Sequence, residues 1–368
     1  MEQEHVAHII CNNLFSDVLY RPFLCANTSL TPYTTNIPPK NAVARLNDLD
    51  PTDFASNWCD KPFILTKPVR EWPVFRTWDT TQLLEDFADI EFRAEAVEWT
   101  LKTYVDYMNN NADESPLYLF DRDFAEKMCL SVGRNSSKAS YWIPDCFGED
   151  LFAVLGDQRP DSRWLIIGPA RSGSTFHKDP NATSAWNAVL RGSKYWIMFP
   201  TNAGSRPPPG VYVSEDQSGV TSPLSIAEWL IGFHAEARQT PGCMEGICYE
   251  GEVLHVPSGW WHLVVNLDAS IAITQNFVPR SHLPSVLSFL KDKPDQVSGF
   301  KRETNNPYTT FVQCLENQYP KLLAEAIVEA QQSKEPRKRK WDAAIGTGAE
   351  EEFSFGFGGD GDSDVEIP

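Results

Sequence analysis

The stretch Gly173-Ser-Thr-Phe-His177-Lys-Asp179-Pro-Asn-Ala-Thr-Ser-Ala-Trp186-Asn187 decides how the rest of the chain is read. At its centre is His-x-Asp. Residues 174–179 read as a β-strand, and residues two apart on a strand point to the same face. His177 and Asp179 can therefore offer an imidazole nitrogen and a carboxylate oxygen to one metal ion. A third ligand is offered far downstream by Val256-Pro-Ser-Gly-Trp-Trp-His262, a turn that runs into an apolar strand. Two histidines and one carboxylate make a facial triad with open positions, which suits non-haem Fe(II). His255 lies before that turn and reads as a packed core histidine.

Working outward, the chain has 368 residues, of which 42% are apolar and 12% aromatic, enough to bury a sizeable core. Its formal charge of −18 argues against a nucleic-acid binder and for a partner that is basic, such as a Lys/Arg-rich peptide. The eight cysteines show no framework spacing, and Cys243 and Cys248 lack the second pair of a zinc site. The acidic N-terminus has no signal-peptide pattern and no apolar run reaches the length of a membrane span. The expectation is a soluble intracellular protein with reduced thiols.

Residues 1–43 read as a leader with short amphipathic helices, loop-like over 31–40. Between 44 and 114 the pattern is mixed. Thr52 is a candidate cap for a helix over 53–58, 62–66 is a buried strand, and 92–99 alternates like one strand. From 115 to 282 strand signals crowd together at 117–120, 164–168, 174–179, 185–191, 194–199, 247–249, 252–256, 262–266 and 271–277. Gly192-Ser193 reads as the hairpin turn between two of them. Residues 202–223 form a loop and 225–237 a helix. Many short strands with tight turns predict an antiparallel double-stranded β-helix, a jelly-roll or cupin barrel, with N-terminal α/β elements. Residues 283–332 are helical and either brace the barrel or form an oligomer contact. Residues 333–368 cannot bury enough apolar surface to order themselves. The basic cluster 334–340 reads as a nuclear-import signal or as a solvated charge run.

A metal with open positions needs a co-substrate. A 2-oxo acid chelates iron through its keto and C1 carboxylate oxygens, and its far carboxylate then needs a cation and a hydroxyl. Lys194 is the candidate cation and Thr274 the candidate hydroxyl. Tyr118 and Ser174 are further hydroxyl donors, and Asn187 is a polar group near the metal.

These motifs together carry a resemblance. Ser115-Pro-Leu-Tyr-Leu-Phe-Asp121, His177-Lys-Asp-Pro, Thr183-Ser-Ala-Trp-Asn-Ala, Gly192-Ser-Lys-Tyr-Trp, Pro257-Ser-Gly-Trp-Trp-His262 and Ile271-Ala-Ile-Thr-Gln-Asn-Phe277 resemble the JmjC-domain 2-oxoglutarate oxygenases. Within that family they are similar to the branch of the phosphatidylserine-receptor-like lysyl hydroxylase. The resemblance runs from about residue 47 to 284. It implies Fe(II) at His177, Asp179 and His262. It also implies 2-oxoglutarate at Lys194 and Thr274, with Tyr118, Ser174 and Asn187 beside it. Ser174 stands where that hydroxylase has Thr, and the hydroxyl is kept. Lys178 stands where it has an apolar residue and, on a strand, faces away from the metal.

The implied reaction is oxidation of a C–H bond by dioxygen, with 2-oxoglutarate leaving as succinate and carbon dioxide. The expected product is a hydroxylated lysine on a basic protein segment, in the nucleus or in nucleus and cytoplasm. N-methyl demethylation, a catalytically silent adaptor and an RNA oxygenase are the alternatives. The acidic body and the missing basic-aromatic patch stand against RNA.

Overall fold

The computed structural model describes residues 22–134, 138–201, 206–215, 218–223 and 225–334. The helices expected before residue 22 lie outside the described residues, as does the tail expected over 333–368 except for residues 333–334, which continue the last helix to Lys334.

Eight strands build the centre: β1 (Arg163–Gly168), β2 (Gly173–His177), β3 (Ser184–Arg191), β4 (Ser193–Phe199), β5 (Met244–Tyr249), β6 (Val253–Val256), β7 (Trp261–Asn266) and β8 (Ser270–Phe277). Successive strands alternate between two sheets, except β4 and β5, which are neighbours in the smaller one. The smaller sheet has the order β5-β4-β7-β2, and the larger has β6-β3-β8-β1 at its centre. The larger sheet is extended at one edge by Phe63–Leu65 and Ala44–Leu46. At the other edge it is extended by Leu119–Asp121 and the Glu91–Ala94/Val97–Thr100 hairpin. All pairs among the eight strands are antiparallel. This is the expected jelly-roll, built as two facing sheets rather than one closed barrel.

The alternation along β4 and β7 explains the layering. Lys194, Trp196 and Met198 point between the sheets, where Trp196 and Met198 pack with Ala185, Val189 and Leu254 of the larger sheet. Tyr195, Ile197 and Phe199 point the other way. With Leu263 and Val265 they pack under Trp229 and Leu230 of the helix Ile226–Gln239. Ser225 caps that helix by accepting from the Glu228 N–H at 3.1 Å. A slip of one residue would send every one of these side chains to the wrong face, so the pattern pins the register. The outer face of the larger sheet is covered by N-terminal residues such as Trp72, Leu83 and Tyr104. The helices Leu283–Asp292, Pro307–Gln318 and Pro320–Lys334 pack their apolar faces with Phe152 and Val278, bracing the end of the jelly-roll.

Several local expectations are corrected. Gly192-Ser193 is no hairpin turn, because β3 and β4 belong to different sheets. Gly192 has φ +78° and a Cβ there would stand 2.4 Å from the Ala269 carbonyl oxygen, so the chain crosses between sheets where only glycine fits. β2 ends at His177, two residues short of Asp179, since Pro180 has no N–H for a ladder. Residues 92–99 are two strands, because Glu95 at φ +52° turns the chain. Asp50, not Thr52, caps the helix at Pro51, accepting from the N–H groups of Thr52 and Asp53. Short helical turns at Thr31–Thr34 and Pro39–Asn41 interrupt the 31–40 loop. A two-strand ribbon, Tyr212–Val213 with Val220–Thr221, interrupts the 202–223 loop.

Candidate active site

The two histidines come from neighbouring strands of the smaller sheet. His262 on β7 pairs directly with His177 on β2, and their ring centroids are 4.2 Å apart. Each ring is oriented by its own strand. His177 Nδ1 is 2.8 Å from the Thr175 carbonyl, and His262 Nδ1 is 3.1 Å from the Trp260 carbonyl. A carbonyl can only accept, so each Nδ1 carries the proton and each Nε2 is left with its lone pair. That is the tautomer a metal ligand needs. Burial, and after it the neighbouring His177, hold His262 well below the usual imidazole range and keep it neutral.

The next pair in that ladder is Val264 with Ser174, so β2 carries one extra residue between Ser174 and His177. Such a bulge turns two residues three apart to one side. Ser174 and His177 therefore both face the interior, which plain alternation forbids. The crossing is tight: a Cβ on Gly173 would lie 2.0 Å from the Val264 carbonyl oxygen.

Asp179 is extended (φ −61°, ψ 146°), as the residue before a proline prefers, and it leads into the turn Pro180–Ala182. Burial pushes its carboxyl up, against the pull of His177 and of a hydrogen bond from Asn276. Its Oδ2 is buried and has no hydrogen-bond partner among the described residues. An orphaned buried carboxylate oxygen beside two imidazoles with free Nε2 atoms fits a divalent metal. The ligand atoms of His177, Asp179 and His262 do not all fall within 4.8 Å of one another, so an ion held by all three would need them to move closer.

Lys194 is fully buried between the sheets. Its ammonium donates to the Tyr118 hydroxyl at 2.8 Å and to Asn266 Oδ1 at 2.7 Å. Asn266 is Lys194's cross-strand partner, and its amide donates to Ser172 Oγ at 2.9 Å. With no carboxylate beside it, burial lowers the Lys194 pKa to about 7. Gly168 makes room for the cluster, since a Cβ there would stand 2.2 Å from Ser172 Oγ and 2.8 Å from the Tyr118 ring.

The larger sheet supplies the facing wall. Thr274 on β8 pairs with Asn187 on β3. The Thr274 hydroxyl donates to the Trp186 carbonyl at 2.9 Å, while Asn187 Oδ1 is buried without a partner among the described residues. A cavity of about 740 Å³ opens on this region, lined by Tyr118, Ser174, His177, Trp164, Phe120 and Glu95 among others. Trp164 and Phe120 stack at its wall, centroids 5.3 Å apart at 22°.

The other expected roles fall out plainly. His255 is fully buried between the carbonyls of Ala185 and Cys59, and burial lowers its pKa to about 3, so it is a neutral core histidine that donates its single N–H to one of the two. Lys178 lies over the outward-facing Trp261 ring at 4.7 Å, away from the metal side. Sequence reading missed Asn266, Ser172 and Asn276. Asn266 was reachable, standing four residues after His262 on the same strand face. Asn276, two after Thr274, was reachable in the same way and donates to Thr183 Oγ1 at 2.8 Å. Ser172 carried no signal.

Residues 58–282 match the family model described as a cupin-like domain. Over 341 residues, 90% of this chain, it is 40% identical to the arginine-specific demethylase JMJ22 of Arabidopsis thaliana, of which it spans 65%. It is 33% identical over 315 residues to the bifunctional arginine demethylase and lysyl-hydroxylase psr-1 of Caenorhabditis elegans. That match covers 78% of this chain and 72% of psr-1. It is 35% identical over 211 residues to the human 2-oxoglutarate and iron-dependent oxygenase JMJD4, covering 53% of this chain and 46% of JMJD4. The chain therefore belongs to the cupin-like family, in its JmjC group.

Proposed function

We propose that the chain is an Fe(II)- and 2-oxoglutarate-dependent oxygenase that hydroxylates a lysine side chain on a basic protein segment. The observation that carries it is the paired His177 and His262, each presenting Nε2 from a fixed Nδ1–H tautomer, beside the orphaned Asp179 Oδ2. His177, Asp179 and His262 would hold the iron. Iron and 2-oxoglutarate supply the oxidation, placing one oxygen atom of O2 on a C–H carbon and the other in succinate, with loss of CO2.

The chain's own residues do the positioning. Two of the three Lys194 donors are taken by Tyr118 and Asn266, and the third remains for the distal carboxylate of the 2-oxo acid. Ser174 and Thr274 add hydroxyls on the two facing walls, and Asn187 turns an unpartnered amide oxygen into the site. The Phe120–Trp164 stack offers a flat apolar wall for the methylene stem of a lysine. The net charge of −18 favours a basic segment, and the cluster 334–340 supports work in the nucleus.

A second reading is removal of N-methyl groups from arginine, favoured by the 40% identity to an arginine-specific demethylase. Both readings use one site, since hydroxylation of an N-methyl carbon lets it leave as formaldehyde. Incubation with unmethylated and methylated Lys/Arg-rich peptides separates them by mass. Gain of one oxygen on an unmethylated lysine is the expected result. Loss of methyl groups alone, on methylated peptides only, sinks the hydroxylase reading.

A further inference from the structure

Among the described residues, the side chains whose ligand atoms do gather within 4.8 Å of one another are Cys59, Asp60 and His282. They lie outside the site described above. Cys59 and Asp60 follow the helical turn Phe54–Trp58, just before the strand Phe63–Leu65. His282 closes the turn Arg280–His282, just after β8. We propose that these three residues form a second metal centre, of the zinc type, that ties the N-terminal edge extension of the larger sheet to the exit of the jelly-roll.

The chemistry of the donor set is specific. A thiolate, an imidazole and a carboxylate together suit Zn(II), whereas Mg(II) and Ca(II) take oxygen ligands and the facial triad contains no sulfur. The two anionic ligands would neutralise the ion. The local structure is already arranged as a metal site is. His282 Nδ1 is 2.8 Å from the hydroxyl of Ser184, which is fully buried at the start of β3. That bond turns Nε2 towards Asp60, whose Oδ1 is 2.8 Å away. The backbone at Cys59 is pinned from both sides: its N–H donates to the Phe54 carbonyl at 2.8 Å, and its own carbonyl meets His255 Nε2 at 3.1 Å. An outer shell of this kind fixes tautomer and direction before an ion arrives.

Geometry and access also agree. Tetrahedral zinc, with bonds of about 2.0–2.3 Å, needs its ligand atoms about 3.3–3.6 Å apart. Seating the ion therefore means opening the His282–Asp60 contact by about half an ångström and releasing the Cys59 thiol from the Ala55 carbonyl, 3.4 Å away. The Asp60 side chain is 82% exposed while that of His282 is 7% exposed, so the movable ligand faces solvent and the fixed one the core. An exposed carboxylate gives an entry path and leaves the fourth position to water. Binding would displace the proton now shared between His282 and Asp60 and the one on the Cys59 thiol.

Cobalt(II) tests this on the full chain, because a Co(II)–thiolate bond gives a near-ultraviolet charge-transfer band that the sulfur-free facial triad cannot produce. After chelator treatment, titration with CoCl2 should raise that band, and ZnCl2 should abolish it. The band should survive in His177→Ala, which is altered only in the triad, and disappear in Cys59→Ser. Asp60→Asn, at an exposed position, should weaken cobalt binding at this site by at least about tenfold. Absence of the band at saturating cobalt in the unaltered protein overturns the proposal, leaving a hydrogen-bonded His–Asp pair only. So does a band that persists in a folded Cys59→Ser protein. If Cys59→Ser does not fold, an unchanged cobalt affinity in Asp60→Asn overturns it equally.

Discussion

His177 and His262 are direct cross-strand partners, ring centroids 4.2 Å apart, and each is tied through Nδ1 to the carbonyl two residues before it. The same local bond on both strands leaves two Nε2 lone pairs turned into one space. His177→Ala or Asp179→Ala should therefore reduce bound iron to less than about a tenth of the wild-type content and abolish succinate formation. Metal analysis of the purified variants checks it, and full iron occupancy in either one removes the triad assignment.

Lys194 carries a pH dependence with a definite sign. Burial lowers its pKa to about 7, so in the ligand-free protein it loses its charge as pH rises through that value. A dicarboxylate needs the ammonium, so binding above pH 7 must take up a proton. The 2-oxoglutarate Kd should weaken by about tenfold per pH unit above 7 and level off below it. Calorimetry in buffers of different ionisation enthalpy should show the uptake. A flat profile from pH 6.5 to 8.5 would mean that another cation holds the ligand.

Asn266 acts through Lys194. Removing its Oδ1 leaves a buried ammonium short of an acceptor, at a cost of about 1–3 kcal/mol. Asn266→Ala should raise the KM for 2-oxoglutarate roughly tenfold or more, with bound iron unchanged, whereas Asn266→Asp should restore charge at high pH and flatten the profile. Lost iron in Asn266→Ala would instead assign it to the metal side.

Gly173 is where β2 meets the β7 backbone. Because a Cβ would fall 2.0 Å from the Val264 carbonyl oxygen, Gly173→Ala should destabilise the fold by about 1–3 kcal/mol and shift Ser174 and His177 together. A lowered Tm accompanied by weaker iron binding is expected. An unchanged Tm would show that the two strands part easily.

His282 gives a second pH signature in the chelator-treated protein. Burial opposes its charge, but hydrogen bonds with the Asp60 and Cys59 side chains raise its pKa to about 9. A raised folded-state pKa contributes stability that is complete below about pH 6.5 and lost as pH climbs through about 9. With Asp60 exposed and screened, the contribution is on the order of 1–2 kcal/mol. Thermal unfolding between pH 6 and 9.5 should show the decline, and Asp60→Asn should remove it.

The residue types at the site were set by the sequence itself. His177-x-Asp179 with a distant His262 names a donor set, and the strict alternation of β4 and β7 settles which side chains face inward, because a strand has a period of two. That alternation reaches Lys194 and, carried four residues past His262, Asn266. Other features depended on contacts between strands far apart in sequence. The bulge that turns Ser174 to the same side as His177 exists only because β7 sets the register against β2. The crossing at Gly192 is fixed by the Ala269 carbonyl, so the local Gly-Ser pair reads falsely as a hairpin. Cys59, Asp60 and His282 look like three unrelated residues until the N-terminal edge extension and the end of the jelly-roll are laid side by side. Periodicity is a property of one strand, whereas register, crossing and convergence are properties of pairs, and only folding brings the pairs together.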